Sequence, residues 1–499
     1  MARRARGRGA GGHVSAAQRP DRQRAERQRA QGRRPDRSAG AHRVQPARRV
    51  AYETLRSVHD SDAYANLLLP RSIRRAGLAG ADAALATELT YGTLRRQGTY
   101  DAVIAIAAGR DTAEIDPPVL DALRLGAHQL LSTRVASHAA VNESVALVAE
   151  TARSATGFAN AVLRRIARDT PGDWMALLDD RARSDDERLG LRHAHPVWVL
   201  RAFRRALAAE GRADELTALL EADNAAPGVT LAALPGVAEP PEHSHRTRYS
   251  PIGFGLDAGD PEPVIASADG AIRVQDEGSQ LAALALSRWA PPRPGERWLD
   301  LCAGPGGKTA VLAAEALAGG AALEANEPVP ARAALVRDSI AAVPLEVPVS
   351  EEDGRVRATD APQSYDRILV DAPCTGLGAL RRRPEARWRK QAADLPELTA
   401  LQGELLDAAI RALKPGGVVA YVTCSPHLAE TAAVVADARR TWGDDLEELD
   451  ARAVLHGVAQ HPLDLPVPAD GSGRAQLWPH RHGTDAMSIV LLRRRPGTR

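Results

Sequence analysis

Two thiols stand out by position. Cys374 closes Asp371-Ala372-Pro373-Cys374, and Cys424 sits in Thr423-Cys424-Ser425-Pro426. Each motif directly follows an apolar run that reads as a strand, Asp366–Val370 and Gly417–Thr423. A thiolate is a strong nucleophile, and a free cysteine has a pKa of about 8.5, so either thiol could attack or move a proton at a cleft. The chain holds only three cysteines, which excludes a disulfide scaffold and fits a reducing, cytoplasmic setting. The third, Cys302, lies inside a glycine-rich turn, where a small inert side chain is the default reading. A zinc site would need four close ligands, and no such His/Cys set is present, so no metal is expected.

That turn runs Asp300-Leu301-Cys302-Ala303-Gly304-Pro305-Gly306-Gly307-Lys308-Thr309, after the strand candidate Arg297–Leu301. A phosphate-binding loop needs Gly, four residues, then Gly-Lys-Thr; the first Gly would fall where Cys302 stands. A dinucleotide fingerprint needs Gly-x-Gly-x-x-Gly; its third Gly would fall at Thr309. A nucleoside cofactor without phosphate fits better. Glycines let the backbone approach such a ligand, and the helix that follows can receive a carboxylate at its N-terminus. S-adenosylmethionine has that carboxylate and a ribose. An acid after the second strand suits the ribose, and Glu327 is there, with Glu324 as a competitor. Asp353, after the third strand, suits the adenine amino group.

A methyl donor beside two thiols suggests one kind of reaction. Carbon 5 of a pyrimidine is not nucleophilic by itself. A thiolate adding at carbon 6 makes it so, and this covalent detour splits one hard step into two. A carboxyl group near the ring nitrogen would assist, and Asp371 is placed for it. A second thiol could serve as acid or base when the enzyme–base bond breaks.

The C-terminal half resembles the RsmB/Fmu group of RNA cytosine-5 methyltransferases. The resemblance rests on Val274-Gln275-Asp276, Ser279-Gln280-Leu281, Leu299–Thr309, Asp371–Gly378 with Arg381-Arg382-Arg383-Pro384 and Trp388, and Thr423–Pro426. It implies an α/β Rossmann-like class I S-adenosylmethionine-dependent methyltransferase domain. It also implies Cys424 as nucleophile, Cys374 in product release, and Cys302, Ala303, Gly304, Pro305, Gly306, Gly307, Lys308, Glu327, Asp353 and Asp371 around the cofactor. The N-terminal half resembles the all-α NusB-like domain of the same group, through Ala84–Arg95 and Phe158–Arg165. Two departures lie in the cofactor region: Glu327 where many members have Asp, and Gly304 where Ala is frequent. Glu430-Thr431 stands for a common Glu-Asn. The expected substrate is small-subunit (16S) ribosomal RNA, with tRNA or another RNA as the alternative.

The elements that must position these residues are legible too. From residue 281, strand candidates at Arg297–Leu301, Ala321–Ala325, Leu345–Val349, Asp366–Val370, Gly417–Thr423 and Ser488–Leu492 alternate with helical stretches. That alternation predicts a mostly parallel sheet covered by helices, with ligands beyond the carboxyl ends of its strands. Residues 46–170 read as all-helical, from apolar spacing of three and four and from Pro117-Pro118 at a helix start. This is the NusB-like region, expected to bind RNA. Residues 171–280, rich in proline, read as a connecting subdomain, and 281–499 as the catalytic domain.

Residues 1–45 read as a disordered Arg-rich tail. Residues 1–49 carry 15 Arg and three acids, a charge of +12; the total of +2 therefore leaves a mildly acidic body of about −10. Only Lys308, Lys390 and Lys414 are lysines against 62 arginines, so arginine counts alone say little about partners. The local cluster Arg381, Arg382, Arg383, Arg387 around Trp388 is different, because it follows Cys374 directly; it reads as a phosphate-contacting patch with one stacking ring. No run of 18 apolar residues exists to span a membrane as a helix, and a monomer is expected. Two other classes remain open: a nucleotide hydrolase using Asp371 for a metal, and a non-catalytic RNA chaperone.

Overall fold

The three- and four-residue apolar spacing near the N-terminus produces helices that bury one stripe each. The computed structural model describes residues 44–61, 63–256 and 261–496. Helices Pro46–Asp60, Ala65–Arg75, Gly80–Arg95, Gln97–Ala108, Pro117–Ser132, Ser137–Thr151 and Thr156–Ile166 form a bundle. Leu55, Leu89, Val103, Leu123, Leu147 and Leu163 are fully enclosed within it. Pro117 opens its helix, where the missing N–H costs nothing. The proposed tail lies outside the described residues.

Residues 171–280 are more regular than a connecting subdomain of loops. Four helices, Pro171–Arg181, Asp185–His193, Val197–Ala208 and Leu216–Asn224, come first. The prolines that suggested loops lie beyond residue 226, around a small antiparallel sheet. Its strands are β1 (Leu231–Ala233), β2 (Ser244–Arg246), β3 (Gly253–Leu256) and β4 (Ile272–Val274), in the order β2-β3-β1-β4.

The large sheet holds β5 (Arg297–Asp300), β6 (Ala322–Asn326), β7 (Val349–Ser350), β8 (Tyr365–Asp371), β9 (Leu413–Thr423), β10 (Leu446–Leu449), β11 (Ala475–Gln476) and β12 (Ser488–Arg494). The order is β10-β12-β9-β8-β5-β6-β7, with β11 paired to β12. Strands β5 to β9 are parallel and β12 joins β9 antiparallel. Helices Glu277–Ser287 and Gly307–Gly319 cover one face, and Leu395–Ala412 and Ala432–Trp442 the other. Glu277–Ser287 is buried on all sides, as its apolar run Leu281–Leu286 requires. The third parallel strand is shorter than its apolar run promised, because Pro344 and Pro348 cannot donate to a ladder; only Val349 and Ser350 pair, at the sheet edge.

Candidate active site

Strands β8 and β9 lie side by side, with Asp371 opposite Val422, so their carboxyl ends deliver Cys374 and Cys424 to one place. The two sulfurs are 3.4 Å apart and half-buried. Backbone bonds lock the two loops together: Ala372 N–H donates to Val422 O (2.9 Å), and Gly378 N–H donates to Cys424 O (2.8 Å). A Cβ on residue 378 would overlap the carbonyl of Ala486, so the close approach needs glycine.

One buried carboxylate ties both thiol loops. Glu430 accepts from the Thr375 N–H (2.7 Å), the Thr375 hydroxyl, the Ser425 hydroxyl (2.6 Å) and the Gln402 amide (3.2 Å). Gln402 also donates to Pro373 O (2.8 Å). Four donors on one carboxylate offset its desolvation. Sequence reasoning noted Glu430 only as part of a family variation; its place five residues after Ser425, one turn onward, was the available signal.

The electrostatics separate the thiols. The Cys374 thiol, hydrogen-bonded to Cys424, holds the Cys424 pKa below the ordinary thiol value, against the opposing effects of burial and Asp371. Arg383 and Lys308 add to the lowering. Cys374 is pushed well up, first by its bond to Cys424, then by burial. Of the two, Cys424 is therefore the thiol that loses its proton more readily, with Cys374 as its hydrogen-bond partner. Cys302 is different: burial, then Asp300, Asp371 and Glu327, push its thiol far up, so it stays protonated.

The glycine-rich turn sits beside this pair. Lys308 Nζ donates to Asp371 Oδ2 at 2.6 Å. Burial alone would favour the neutral amine, but Asp371 raises the lysine pKa and keeps it charged. Glu327 reaches across from the end of β6. Its Oε2 accepts the Gly304 N–H (3.1 Å), and its Oε1 the Val329 N–H (3.1 Å). A Cβ on residue 304 would overlap that carboxylate. Gly306 has φ 103°, and a Cβ there would press on Ser339, so both glycines leave room at the N-terminus of helix Gly307–Gly319. Backbone room, a helix N-terminus and an acid after the second strand suit a nucleoside with an amino-acid tail.

The other expected residues are placed with differing results. Ala303 and Pro305 lie in the same turn. Asp353 follows β7, but it is exposed, caps helix Gly354–Thr359 and pairs with Arg355. Glu324 lies within β6 and pairs with Arg297 and Arg357, away from the strand end. Asn326, which sequence reasoning missed, is fully buried and joins three strand ends: it donates to Leu301 O and Glu352 O and accepts from the Ser350 hydroxyl.

The expected phosphate patch is corrected at several positions. Arg387 is fully buried and donates to the carbonyls of Arg95, Ala194 and Asp223 and to Asn224 Oδ1. Burial pulls its pKa down to about 9. Trp388 packs on Gly98 and donates to Leu94 O at 3.0 Å. Both side chains fasten the Cys374 loop to the helical bundle. Arg381 bonds Asp276 (2.8 Å) and Asp485, and Arg382 bonds Asp485. Arg383 stacks on Tyr64 at 5.5 Å and is half-buried. Clustering near a cysteine suggested RNA; the distant partners that satisfy these arginines were invisible in the local sequence.

Among the described residues no helix is long and apolar enough to cross a membrane, and no group of three or more His, Cys, Asp or Glu could hold a metal.

Residues 287–493 match the family model for 16S rRNA methyltransferase RsmB/F, and residues 45–168 match the NusB family. "Putative methyltransferase Rv1407" of Mycobacterium tuberculosis is 50% identical over 92% of this chain and 99% of its own length. Ribosomal RNA small subunit methyltransferase B of Salmonella enteritidis is 33% identical over 74% of this chain and 83% of its own. The crystal structure of PH0851 matches with a TM-score of 0.75 at 22% identity, covering 90% of this chain and 99% of that one, a likeness of fold. The domain that holds the glycine turn and the parallel sheet is thus that of an S-adenosylmethionine-dependent methyltransferase. The chain belongs to the RsmB/F family of RNA methyltransferases, with a NusB-family helical domain at its N-terminal side.

Proposed function

We propose that the chain methylates carbon 5 of a cytosine in RNA, with small-subunit (16S) ribosomal RNA as substrate, through a covalent bond between Cys424 and the base. The observation that carries this reading is the thiol pair: two sulfurs 3.4 Å apart, one lowered and one raised in pKa. Cys424 Sγ, the thiolate, adds to carbon 6 of the cytosine. Asp371, held by Lys308, passes a proton drawn from the lysine ammonium to ring nitrogen 3 as addition sends negative charge there, and takes it back on release. When bound, S-adenosylmethionine supplies the electrophilic methyl group. Carbon 5 then gives its proton to water, the C5–H electron pair restores the carbon 5–carbon 6 double bond, and the Sγ–C6 bond breaks with its electron pair returning to Cys424. The Cys374 thiol donates to that departing thiolate and eases release. The target base must leave its stack to reach two half-buried sulfurs.

A nucleotide hydrolase is disfavoured by the same turn. Glu327 already takes the Gly304 N–H, so a phosphate would meet a carboxylate rather than a free donor. The test is methyl transfer to unmodified ribosomal RNA and to tRNA, with base-resolution mapping. The expected product is 5-methylcytosine in the ribosomal RNA, and none from Cys424→Ala. Full turnover by Cys424→Ala, or modification at another atom, overturns the mechanism.

A further inference from the structure

Two adjoining cavities, of about 460 Å³ and about 330 Å³, lie between the helical bundle and the helices that follow it. Arg96 and Asn224 line both. Arg95 lines the larger one, at the C-terminal end of helix Gly80–Arg95.

Arg95 is 6% exposed, yet among the described residues no acceptor bonds its guanidinium and no carboxylate pairs with it. Its Nε is enclosed without a partner. The half-buried Arg96 likewise has no side-chain partner among them. Helix-end carbonyls do not answer for these charges, because Trp388 and Arg387 already take those of Leu94 and Arg95. The other charged groups lining the cavities are mostly satisfied. Glu88 faces His128 at 3.5 Å, and Arg192 is bound to Asp179. Glu88 and the exposed Glu221 share the lining with Arg95 and Arg96, and Glu88 is the main opposite charge acting on Arg95, but neither guanidinium has an acceptor among the described residues. A guanidinium enclosed without a hydrogen-bond acceptor is costly, unless the oxygens of a ligand complete it.

We propose that the double cavity is a phosphate site in which Arg95 and Arg96 grip a phosphodiester of the substrate RNA. This rests on RNA being the substrate. Guanidinium forks match phosphate oxygens in pairs, and two adjacent arginines offer two forks. The site is also wired to the Cys374 loop. Asn224, on the wall of both cavities, accepts from Arg387 Nη1 at 2.7 Å and donates to His193 O at 2.7 Å. RNA held here would be held against the element that carries Cys374.

The test compares the full chain with Arg95→Met and Arg96→Ala. Binding of a ribosomal RNA fragment is followed by fluorescence anisotropy across a salt series. Each variant is expected to bind about tenfold more weakly at low salt, with the slope of log K against log salt reduced by about 0.7–0.9. S-adenosylmethionine affinity stays unchanged. Arg95→Met is expected to melt no lower than wild type, because it removes an unpaired charge and keeps the bulk. Wild-type RNA affinity and slope in both variants overturns the proposal, as does a clear loss of melting temperature in Arg95→Met with Arg96→Ala unaffected in binding. Inorganic phosphate separates the sources: a phosphate-dependent rise in wild-type melting temperature, without any change in RNA affinity in the variants, refutes the assignment to RNA. Arginine-dependent RNA binding by a wild-type chain that methylates no cytosine supports the site and refutes the reaction instead.

Discussion

Cys374→Ala separates the two thiols' roles. The substitution removes the hydrogen bond that Cys374 gives Cys424 across 3.4 Å. A hydrogen bond to a charged group contributes about 1.5–3 kcal/mol, and a thiol is a weak donor, so the lower end applies. About 1.5 kcal/mol corresponds to about one pKa unit and about tenfold in an equilibrium. Cys424 has its pKa lowered first of all by this bond, so losing the bond raises it. The thiolate then survives only at higher pH, and the acid limb of kcat/KM moves up by about one unit. Departure of Cys424 from carbon 6 also becomes about tenfold less favourable, so the covalent adduct accumulates. The assay is denaturing electrophoresis after incubation with RNA and S-adenosylmethionine, with intact mass of the slow band. Wild type shows little adduct, Cys374→Ala shows much, and Cys374→Ser, which retains a donor, lies between in its pH profile. Turnover by Cys374→Ala at the wild-type rate without adduct would refute the reasoning. So would an adduct formed by the Cys374→Ala/Cys424→Ala double variant.

Glu430→Ala strands the Thr375 amide and two hydroxyls, at about 1–3 kcal/mol for each donor left unpaired. Melting should fall by several degrees and activity should vanish, while Glu430→Gln keeps an acceptor for the amide and most of the stability; equal melting of wild type and Glu430→Ala contradicts this. Gly304→Ala pushes a methyl into the Glu327 carboxylate, and should weaken S-adenosylmethionine at least tenfold, or about 1.4 kcal/mol, by calorimetry. Adding Glu327→Asp withdraws that carboxylate by one carbon and should restore much of the affinity; additive losses in the double variant would refute the coupling. Asp300 titrates at about 7, raised by burial against the bond from Thr309, so its folded pKa lies above the unfolded value. Its contribution is present at low pH and is lost as pH climbs from about 4 to about 7. Asp300→Asn should therefore gain on the wild-type apoprotein in melting temperature between pH 5 and pH 8; a pH-independent difference would count against it.

How much of this was legible depended on how local the cause was. Strand ends, thiols and the glycine turn each declare themselves within about ten residues, because period-two apolar runs and glycine conformations are local physics. Helices at 171–224 were hidden by a proline density that belongs to the next segment. Arg387 was misread for a deeper reason. A basic residue beside Cys374 has the same local signature whether it meets RNA or a carbonyl. Here its acceptors come from residues 95, 194, 223 and 224, contributed by the helical bundle and the helices after it. Arg95, whose Nε has no hydrogen-bond partner among the described residues, and Arg96 beside it carried no local signal in a chain that writes arginine everywhere.

The two departures from the family pattern in the cofactor turn gain a common cause in three dimensions. Read along the chain, Gly304 for a frequent Ala and Glu327 for a common Asp are 23 residues apart and unrelated. In space the longer carboxylate occupies the volume that a Cβ on residue 304 would need, and it takes the N–H of that same residue. Loss of a methyl on one side answers gain of a methylene on the other, so the acid still reaches the turn. The Glu327 carboxylate is thus kept against the turn by an exchange of size across the cleft, and neither substitution is expected to be neutral without its partner.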